Sequence, residues 1–476
     1  MRIPVWLTMI TALAALALVL VVGSLVIAPP QPLIVEAGFS PTRITPNADG
    51  SDDITVFSYA LSRGAFITVT FESEDGRIFV FRDGEERAAG SYRVEFSGVV
   101  DGYVLPGEQI AGDVLRRLMP DGAYTWRLLA VNRETGEQDE RSGELLIEDG
   151  DPLLPELVEF TVYPDIFTPN QDGIADRTAI NVFLTKDADL QVYLQREGME
   201  PIFIPQRMED VEPGRAGRYT YDYEGGVDLG ADPPPDGEYT VVAVAQDAVG
   251  QRVQRTATLT IRDGGKPLAQ IIPQPTGATV VFEARPFEER FTTTRDQRGD
   301  LIDPPVDPAS LNLNMITMPV GDMLVFKLTV ENYSEVPIRT AGSPPGTVFH
   351  WEQRAATLGE FDQSGAWRVG IDCDTAASDY PWRWAIGDAS TLVEQIDPNT
   401  GDVHYYLPAG ARSIVWGAVR MTAIEARNPQ NCWAGLIHED VEIALRNRNV
   451  GPRRILLVDL DSAEIGPSVP SAHEGR

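Results

Sequence analysis

The sequence contains few of the residues on which enzymes and metal sites usually depend. Its 476 residues include only four histidines and two cysteines, and no GxSxG, HExxH or phosphate-loop motif occurs. His350, His404 and His438 fall on separate predicted strands. The neighbouring acids Asp372 and Asp374 are expected by chance in so acidic a chain. We therefore expect a protein that is not an enzyme.

Basic residues are also scarce relative to acidic ones. The chain has 39 lysines and arginines against 71 aspartates and glutamates, a net charge of −32 at pH 7. Such a surface repels nucleic acid and anionic lipid, so no nucleic-acid partner is expected. The acids are spread along the chain, which argues against a disordered acidic tail.

The two cysteines are Cys373 and Cys432. In an exported chain, an isolated pair within one domain typically forms a disulfide. The alternative is a pair of buried free thiols. Their wide spacing excludes a zinc or redox site of the CxxC type.

One long apolar run occurs, residues 5–28, with the sequence VWLTMITALAALALVLVVGSLVIA. As a helix it would rise about 36 Å, enough to cross about 30 Å of hydrocarbon. It predicts a transmembrane signal-anchor helix over residues 4–28. The alternative is a cleaved signal peptide, whose apolar core is usually shorter, about 7–15 residues. Pro29 and Pro30 would hinder cleavage after Ala28.

The charges around this run predict its orientation. Arg2 is the only charge before it, and the first charges that follow include Glu36 and Asp49. The positive-inside rule then places the N-terminus in the cytoplasm and residues 31–476 outside. We expect a single-pass protein of the cell membrane.

Three short segments occur twice in the same order. TPNADGSDD and TPNQDGIAD are offset by 123 residues, PDGAY and PDGEY by 115, and ELLIEDG and TLTIRDG by 114. Units of this length are too long for solenoid repeats, so each is predicted to be a whole domain.

Short alternating runs between Gly and Asp turns predict strands throughout. Residues 66–71 (FITVTF) and 190–194 (LQVYL) are examples. This spacing is typical of β-sandwiches. The predicted fold is all-β, with tandem Ig-like antiparallel β-sandwiches after the N-terminal helix. The predicted domains are a first repeat at 34–149, a second repeat at 155–263, a third domain at 270–460 and a flexible tail at 461–476.

The repeated unit resembles the Ig-like domain of the flagellar hook-capping protein and a related C-terminal domain of gliding-motility and surface proteins. The motifs that carry this resemblance are FSP at 39–41 with TPNADG at 45–50, FTPNQDG at 167–173, and the closing PDGAY and PDGEY at 120–124 and 235–239. The first repeat departs from the pattern by inserting loop material that includes LRRLMP at 115–120.

The third domain resembles Ig-like modules that are common in bacterial surface proteins. The residues concerned are PVGD at 319–322, which leads into FKLTVENYS, and PPGT at 344–347. This resemblance implies a role in adhesion, in a stalk or at the cell wall.

The Asn-x-Asp-Gly-x-x-Asp segments suggest a calcium site. Side-chain oxygens at alternate positions and a glycine that permits a tight turn suit a hard cation. The candidate ligands are Asn47, Asp49 and Asp53 in the first repeat and Asn170, Asp172 and Asp176 in the second. The alternative is an Asx-turn, in which these side chains bond their own backbone.

An aromatic segment in the third domain is a candidate ligand-binding site. It comprises Tyr380, Trp382 and Trp384, with Pro381 between them. The proline favours an edge or loop, and period-two spacing places both indoles on one face. If exposed, they would form a stacking platform for a sugar ring or a partner side chain. The alternative is a loop folded over the sandwich.

These features together predict a non-enzymatic, membrane-anchored scaffold or adhesion protein of the cell surface. Its third domain would contact an envelope or surface protein, or a polysaccharide. One alternative is a glycan-binding protein that acts through the third-domain aromatics, and another is a secreted hydrolase.

Overall fold

The computed structural model describes residues 5–26, 31–206, 211–275, 277–306, 314–397 and 400–460. The predicted tail at 461–476 lies outside the described residues. The chain divides into two compact units. The first comprises Met1–Thr161, Ile180–Tyr221 and Thr240–Ala257, and the second comprises Val162–Ala179, Asp222–Tyr239 and Thr258–Arg476.

The N-terminal helix, α1, spans Val5–Val26. Its described side chains, residues 6–21, are all exposed. In the part of the chain that the structure describes, no helix combines the length and apolarity that a bilayer crossing needs. The transmembrane assignment over residues 4–28 therefore stays a prediction.

The first repeat consists of a three-stranded and a five-stranded sheet. The three-stranded sheet has the order β1-β3-β6, with β1 at Ile34–Ser40, β3 at Thr55–Leu61 and β6 at Gly90–Phe96. The five-stranded sheet has the order β2-β10-β9-β4-β5, with β2 at Arg43–Ile44, β10 at Gln138–Ile147, β9 at Gly122–Asn132, β4 at Ala65–Ser73 and β5 at Ile78–Arg87. The chain changes sheets after β1, and β2 pairs parallel to β10. This is an Ig-like topology.

Alternating side chains build the core of this sandwich. In β4, Ala65, Ile67, Val69 and Phe71 point inward and are buried, whereas the residues between them are more exposed. Phe71 stacks on Phe96 at 4.8 Å between ring centroids. Burial of such aromatic rings is the main stabilising contribution of a sandwich of this size.

The second repeat has the same strand order. One sheet is β11-β13-β16, with β11 at Leu157–Tyr163, β13 at Thr178–Leu184 and β16 at Gly217–Tyr223. The other contains β15 at Ile202–Phe203, β14 at Asp189–Gln195, β17 at Gly237–Gln246 and β18 at Arg252–Ile261, with β12 at Ile166–Phe167 parallel to the end of β18. The all-β prediction and the repeat of one fold are confirmed.

The second repeat's larger sheet continues beyond β18 into two further strands. These are β8, Asp113–Leu118, and β7, Val99–Asp101, which form a hairpin inserted in the first repeat. The order is β15-β14-β17-β18-β8-β7.

The third domain is a larger sandwich of a five-stranded and an eight-stranded sheet. The first contains β19 at Ala269–Ile272, β20 at Val280–Arg285, β22 at Met323–Asn332, β29 at Arg412–Arg420 and β24 at Val348–His350. The second contains β21 at Met315–Pro319, β31 at Val450–Val458, β30 at Gln430–His438, β25 at Trp367–Cys373, β26 at Trp382–Ala385, β23 at Ile338–Thr340, β28 at Val403–Leu407 and β27 at Val393–Ile396.

The predicted disulfide is confirmed. Cys373 and Cys432 are bonded and lie directly opposite each other on the neighbouring strands β25 and β30. The bond therefore lies within one sheet, whereas the disulfide of antibody domains joins the two sheets.

Reduction of this disulfide should destabilise the third domain. The bond closes a loop with a sequence separation of 59, and restricting the unfolded chain to this extent stabilises the fold by about 4 kcal/mol. We expect dithiothreitol to lower the urea midpoint of the protein accordingly. The double variant Cys373→Ala/Cys432→Ala is the control, because its midpoint should be low already and should not respond to dithiothreitol.

Candidate functional site

The closing motif of each repeat forms a tyrosine corner. The Tyr124 hydroxyl donates to the Pro120 carbonyl at 2.5 Å, and the Tyr239 hydroxyl donates to the Pro235 carbonyl at 2.7 Å. A tyrosine at the start of this strand that bonds the backbone just upstream is a hallmark of Ig-like sandwiches. The PDGxY motif is therefore repeated because each sandwich uses its tyrosine to hold the closing turn.

The aspartate of the same motif binds the third repeated segment. The Gly150 amide donates to Asp121 Oδ1 at 3.0 Å. In the second repeat, the Asp263 and Gly264 amides donate to the Asp236 carboxylate at 2.9 and 3.1 Å. The second and third repeated segments are thus in contact in both copies.

The first repeated segment folds around its last aspartate. Asp53 Oδ1 accepts from the amides of Ala48 and Asn47 at 2.7 and 3.1 Å, and its Oδ2 accepts from Gly50 at 2.8 Å. Asn47 Oδ1 accepts from the Asp49 amide at 3.0 Å. The backbone N–H groups of this turn therefore point inward at one position, which the Asp53 carboxylate occupies.

The second copy repeats this arrangement. Asp176 accepts from the amides of Asp172 at 3.1 Å and Gly173 at 2.6 Å. Asn170 Oδ1 accepts from the Asp172 amide at 3.1 Å, and Asp172 Oδ1 accepts from Ile174 at 2.9 Å. The two repeated segments therefore form the same turn. We call the turn at 45–53 the first corner and the turn at 168–176 the second corner.

This geometry is that of an Asx-turn, the alternative that the sequence left open, and calcium binding at these segments stays a prediction. The N–H dipoles converge on the carboxylates of Asp53 and Asp176, an arrangement that stabilises an anion and repels a cation. Among the described residues, no group of three or more His, Cys, Asp or Glu side chains is placed to hold a metal. The predicted ligands instead serve the turn: Asn47, Asp49, Asp53, Asn170, Asp172 and Asp176.

The two corners differ in what lies against them. The first corner borders an open cleft of about 570 Å³, which Ala248 and Val249 of the second repeat also line. The second corner is covered by the third domain. The Tyr406 hydroxyl donates to Asp172 Oδ2 at 2.9 Å, and His438 Nε2 donates to the Gln171 carbonyl at 2.7 Å. We call these contacts the second joint.

Two glycines permit the close approach at the second joint. Gly173 has a φ of +82°, and a Cβ atom added there would lie 2.0 Å from the Ser364 carbonyl oxygen. A Cβ atom on Gly365, whose φ is +76°, would lie 2.1 Å from the carbonyl carbon of Asp172. Neither position tolerates a side chain while the backbones stay in contact.

Asp53 and Asp176 occupy equivalent turns, but their pKa values shift in opposite directions. Burial tends to raise the pKa of Asp53, but the backbone hydrogen bonds from Gly50 and Ala48 outweigh it and lower that pKa. Burial, with the nearby charge of Asp172, raises the pKa of Asp176 to about 6. The difference follows from the cover that the third domain places over the second corner.

The inserted hairpin β7–β8 forms the first joint. In β8, Arg116, Val114 and Asp113 pair with Arg252, Val253 and Gln254 of β18. The side chains of Val99, Leu118 and Val249 form a small buried cluster beside this pairing. The sequence predicted loop material here, which is wrong: the insertion is the strand pair that connects the repeats.

Buried polar groups reinforce the first joint. Gln251 is fully buried, accepts from the Leu118 amide at 3.3 Å and donates to the Leu153 carbonyl at 2.8 Å. Lys186 forms ion pairs with Asp247 at 2.6 Å and Asp151 at 2.8 Å. These bonds hold the junction segment 151–153 between the repeats.

The predicted aromatic platform is corrected by the structure. Tyr380, Trp382 and Trp384 are 3%, 1% and 0% exposed. The Trp382 indole donates to the His350 carbonyl at 3.2 Å, and that of Trp384 donates to Thr347 at 3.0 Å. Both indoles do lie on one face of β26, but that face meets the core, so neither ring can stack on a sugar.

Comparison with known proteins gives no family. No family model matches the chain, and no curated protein matches it. Solved structures with some likeness include a tetra-tandem repeat from the extending region of a large adhesion protein, at 11% identity and a TM-score of 0.17 over 88% of this chain and 73% of that one. Another is a two-domain fibronectin type III segment of chicken tenascin, at 13% identity and a TM-score of 0.16 over 47% of this chain and 97% of that one. Because these TM-scores are low, the assignment of an Ig-like fold depends only on the strand topology described above.

The stability of the second joint should depend on pH through His438. Burial lowers the pKa of His438 to about 4 from 6.5. Unfolding therefore takes up a proton between pH 6.5 and 4, and the stability from neutral His438 is complete above pH 6.5 and lost as pH falls to 4. We expect the stability difference between the native protein and His438→Gln to shrink by about 3 kcal/mol from pH 7 to pH 4.

Denaturant unfolding at several pH values measures this difference directly. Comparing each variant with the native protein removes the opposing contribution of Asp176, whose raised pKa adds stability as pH falls from about 6 to 3.8. An unchanged difference for His438→Gln would contradict the expectation.

Proposed function

We propose that this chain is a non-enzymatic scaffold or adhesion protein of the cell surface, anchored in the membrane by its N-terminal helix. Residues 31–476 would lie outside the cytoplasm, and the third domain would contact an envelope or surface protein. Three features support this proposal: the first joint, the exposed apolar helix and a free sheet edge in the third domain.

The first joint is the observation that carries the scaffold role. A spacer has to keep its domains at a fixed separation, and antiparallel pairing of β8 with β18 joins the repeats through backbone hydrogen bonds. The buried Gln251 and the Lys186 ion pairs add directional contacts on the same joint. A flexible linker would supply none of these constraints.

The apolar surface of α1 supports the anchor. Leu13, Leu16 and Leu20 are 65%, 57% and 65% exposed, and apolar residues lie on all sides of the helix. A helix in water normally has one polar face. A helix without one is stable where lipid covers it, as the continuous run at 5–28 implies.

A free sheet edge in the third domain supports a protein partner. Among the strands that the structure describes, β27 is the last of the eight-stranded sheet and has a neighbour on one side only, and all four of its residues are exposed. Val393 and Ile396 are 49% and 64% exposed. Unpaired backbone groups beside apolar side chains can add an extended strand from a second protein.

The fixed spacing at the first joint can be measured between two spin labels. We expect cysteines introduced at Thr135 and Glu197, both exposed in the first compact unit, to give one narrow distance distribution by electron–electron resonance. The native cysteines are bonded to each other and will not take label. The double variant Lys186→Met/Gln251→Ala should broaden the distribution, because it removes the buried polar contacts of the joint.

The matched control is Arg63→Met, which breaks an exposed ion pair with Glu137 and should leave the distribution narrow. A broad distribution in the otherwise native protein would contradict the scaffold role.

The anchor predicts where the protein fractionates. The full chain should sediment with membranes and resist extraction by carbonate, whereas a chain that starts at residue 31 behind a cleavable export signal should be released. Mass spectrometry of the membrane-bound protein should find an intact N-terminus. Recovery of a mature chain beginning just after residue 28 would contradict the anchor and support the alternative signal peptide.

A further inference from the structure

A cleft at the first joint concentrates positive charge in an otherwise acidic protein. Its volume is about 280 Å³, and its lining includes Arg82, Arg116 and Arg252, with Glu95 as the one acidic residue. The whole chain carries a net charge of −32. Three arginines from three different strands therefore line one cleft, although acidic residues outnumber basic ones in the chain as a whole.

Two of these arginines face each other across the joint. Arg116 of β8 and Arg252 of β18 are direct partners in the antiparallel register. The Cβ atoms of directly opposed residues lie only about 5 Å apart, so like charges at such a pair destabilise the pairing. A negative charge between the two guanidinium groups would reverse the sign of this interaction.

In the part of the chain that the structure describes, neither guanidinium forms an ion pair or a side-chain hydrogen bond. The Nε atoms of Arg116 and Arg252 are buried and have no hydrogen-bond partner. Among the described residues, no carboxylate oxygen lies within 4.0 Å of either side chain, although Arg117, next in sequence, is bonded to Glu108. Buried donors without an acceptor are costly, so their pairing across one cleft indicates that an acceptor from outside belongs there.

The third arginine is held at the same cleft by the first repeat. Arg82 Nε is 3.2 Å from Glu85 Oε1, and its Nη1 donates to the Phe81 carbonyl at 3.1 Å. Its guanidinium lies 4.2 Å from the Phe81 ring centroid. These contacts fix the position of its charge at the cleft and leave further N–H groups for a ligand.

We propose that this cleft is a binding site for an oxyanion, in particular a phosphate group, clamped between Arg116 and Arg252. The planar guanidinium donates pairs of N–H bonds that match the oxygens of a phosphate. A molecule of liquid water takes about 30 Å³, so the cleft has room for one phosphate group with water around it. The bound anion would join β8 to β18 and so strengthen the connection between the repeats.

The test uses the full chain in a neutral detergent. We expect potassium phosphate to raise the unfolding temperature above that in potassium chloride of equal ionic strength, and titration calorimetry to detect saturable binding. Arg116→Gln and Arg252→Gln should each weaken phosphate binding by about tenfold or more, because each removes charge-assisted hydrogen bonds. Arg43→Gln, at an exposed arginine of the first repeat outside the cleft, should bind as the native protein does.

The opposed arginines give a second readout that is independent of affinity. In chloride alone, Arg252→Gln should unfold at a higher temperature than the native protein, because the repulsion across the joint is removed. In saturating phosphate, the order should reverse. A variant that only damages the fold would be less stable in both salts and would overturn the proposal.

The source of the phosphate is decided by a parallel titration. Inorganic phosphate is compared with a short polyglycerol phosphate, whose phosphodiesters present the same oxygens on a polymer. If the polymer binds more tightly than inorganic phosphate, and Arg116→Gln loses this binding, the ligand is an anionic envelope polymer. If inorganic phosphate binds more tightly, the ligand is the free ion. No effect of either ligand beyond that of chloride, or an equal loss in Arg43→Gln, would overturn the proposal.

Discussion

Backbone pairing between β8 and β18 is the constraint on which the arrangement of the first two repeats depends. A linker of a few residues leaves two sandwiches free to rotate, whereas a shared sheet fixes their separation and twist together. Once the strands are paired, Leu118 and Val249 meet in a small apolar cluster and Gln251 is enclosed between the repeats. The arginine cleft exists for the same reason, because the register places Arg116 opposite Arg252.

Local signals in the sequence predicted much of the fold. Alternating side chains identified the strands, and the three repeated segments identified one end of each sandwich, where Tyr124 and Asp121 hold the closing turn. Turn chemistry depends on residues that are close in sequence, so it can be recognised without knowledge of the partner strands. The pairing of Cys373 with Cys432 was predicted from their isolation in a chain that we expect to be exported.

Non-local pairing could not be predicted in the same way. The segment that contains LRRLMP has no clear alternation, and the strand that it pairs with belongs to the next repeat. For Trp382 and Trp384, the period-two rule placed both rings on one face correctly, but which face meets the core depends on how β26 is covered. The Asn-x-Asp-Gly-x-x-Asp pattern predicts oxygen atoms in a turn, and only the positions of the N–H groups distinguish a turn from a cation site.

The disulfide also determines how the third domain would carry a mechanical load. Because Cys373 and Cys432 are covalently joined, a force that pulls the two ends of the chain apart passes through the sulfur atoms and bypasses residues 374–431. These residues include β26, β27, β28 and β29, and with them the free edge of the sheet. Tension along the chain would then reach these strands through the backbone pairing of β26, β28 and β29 with β25, β23 and β22 and through the side-chain contacts around them. Strand β27, which pairs with β28, would lie outside the path of the force.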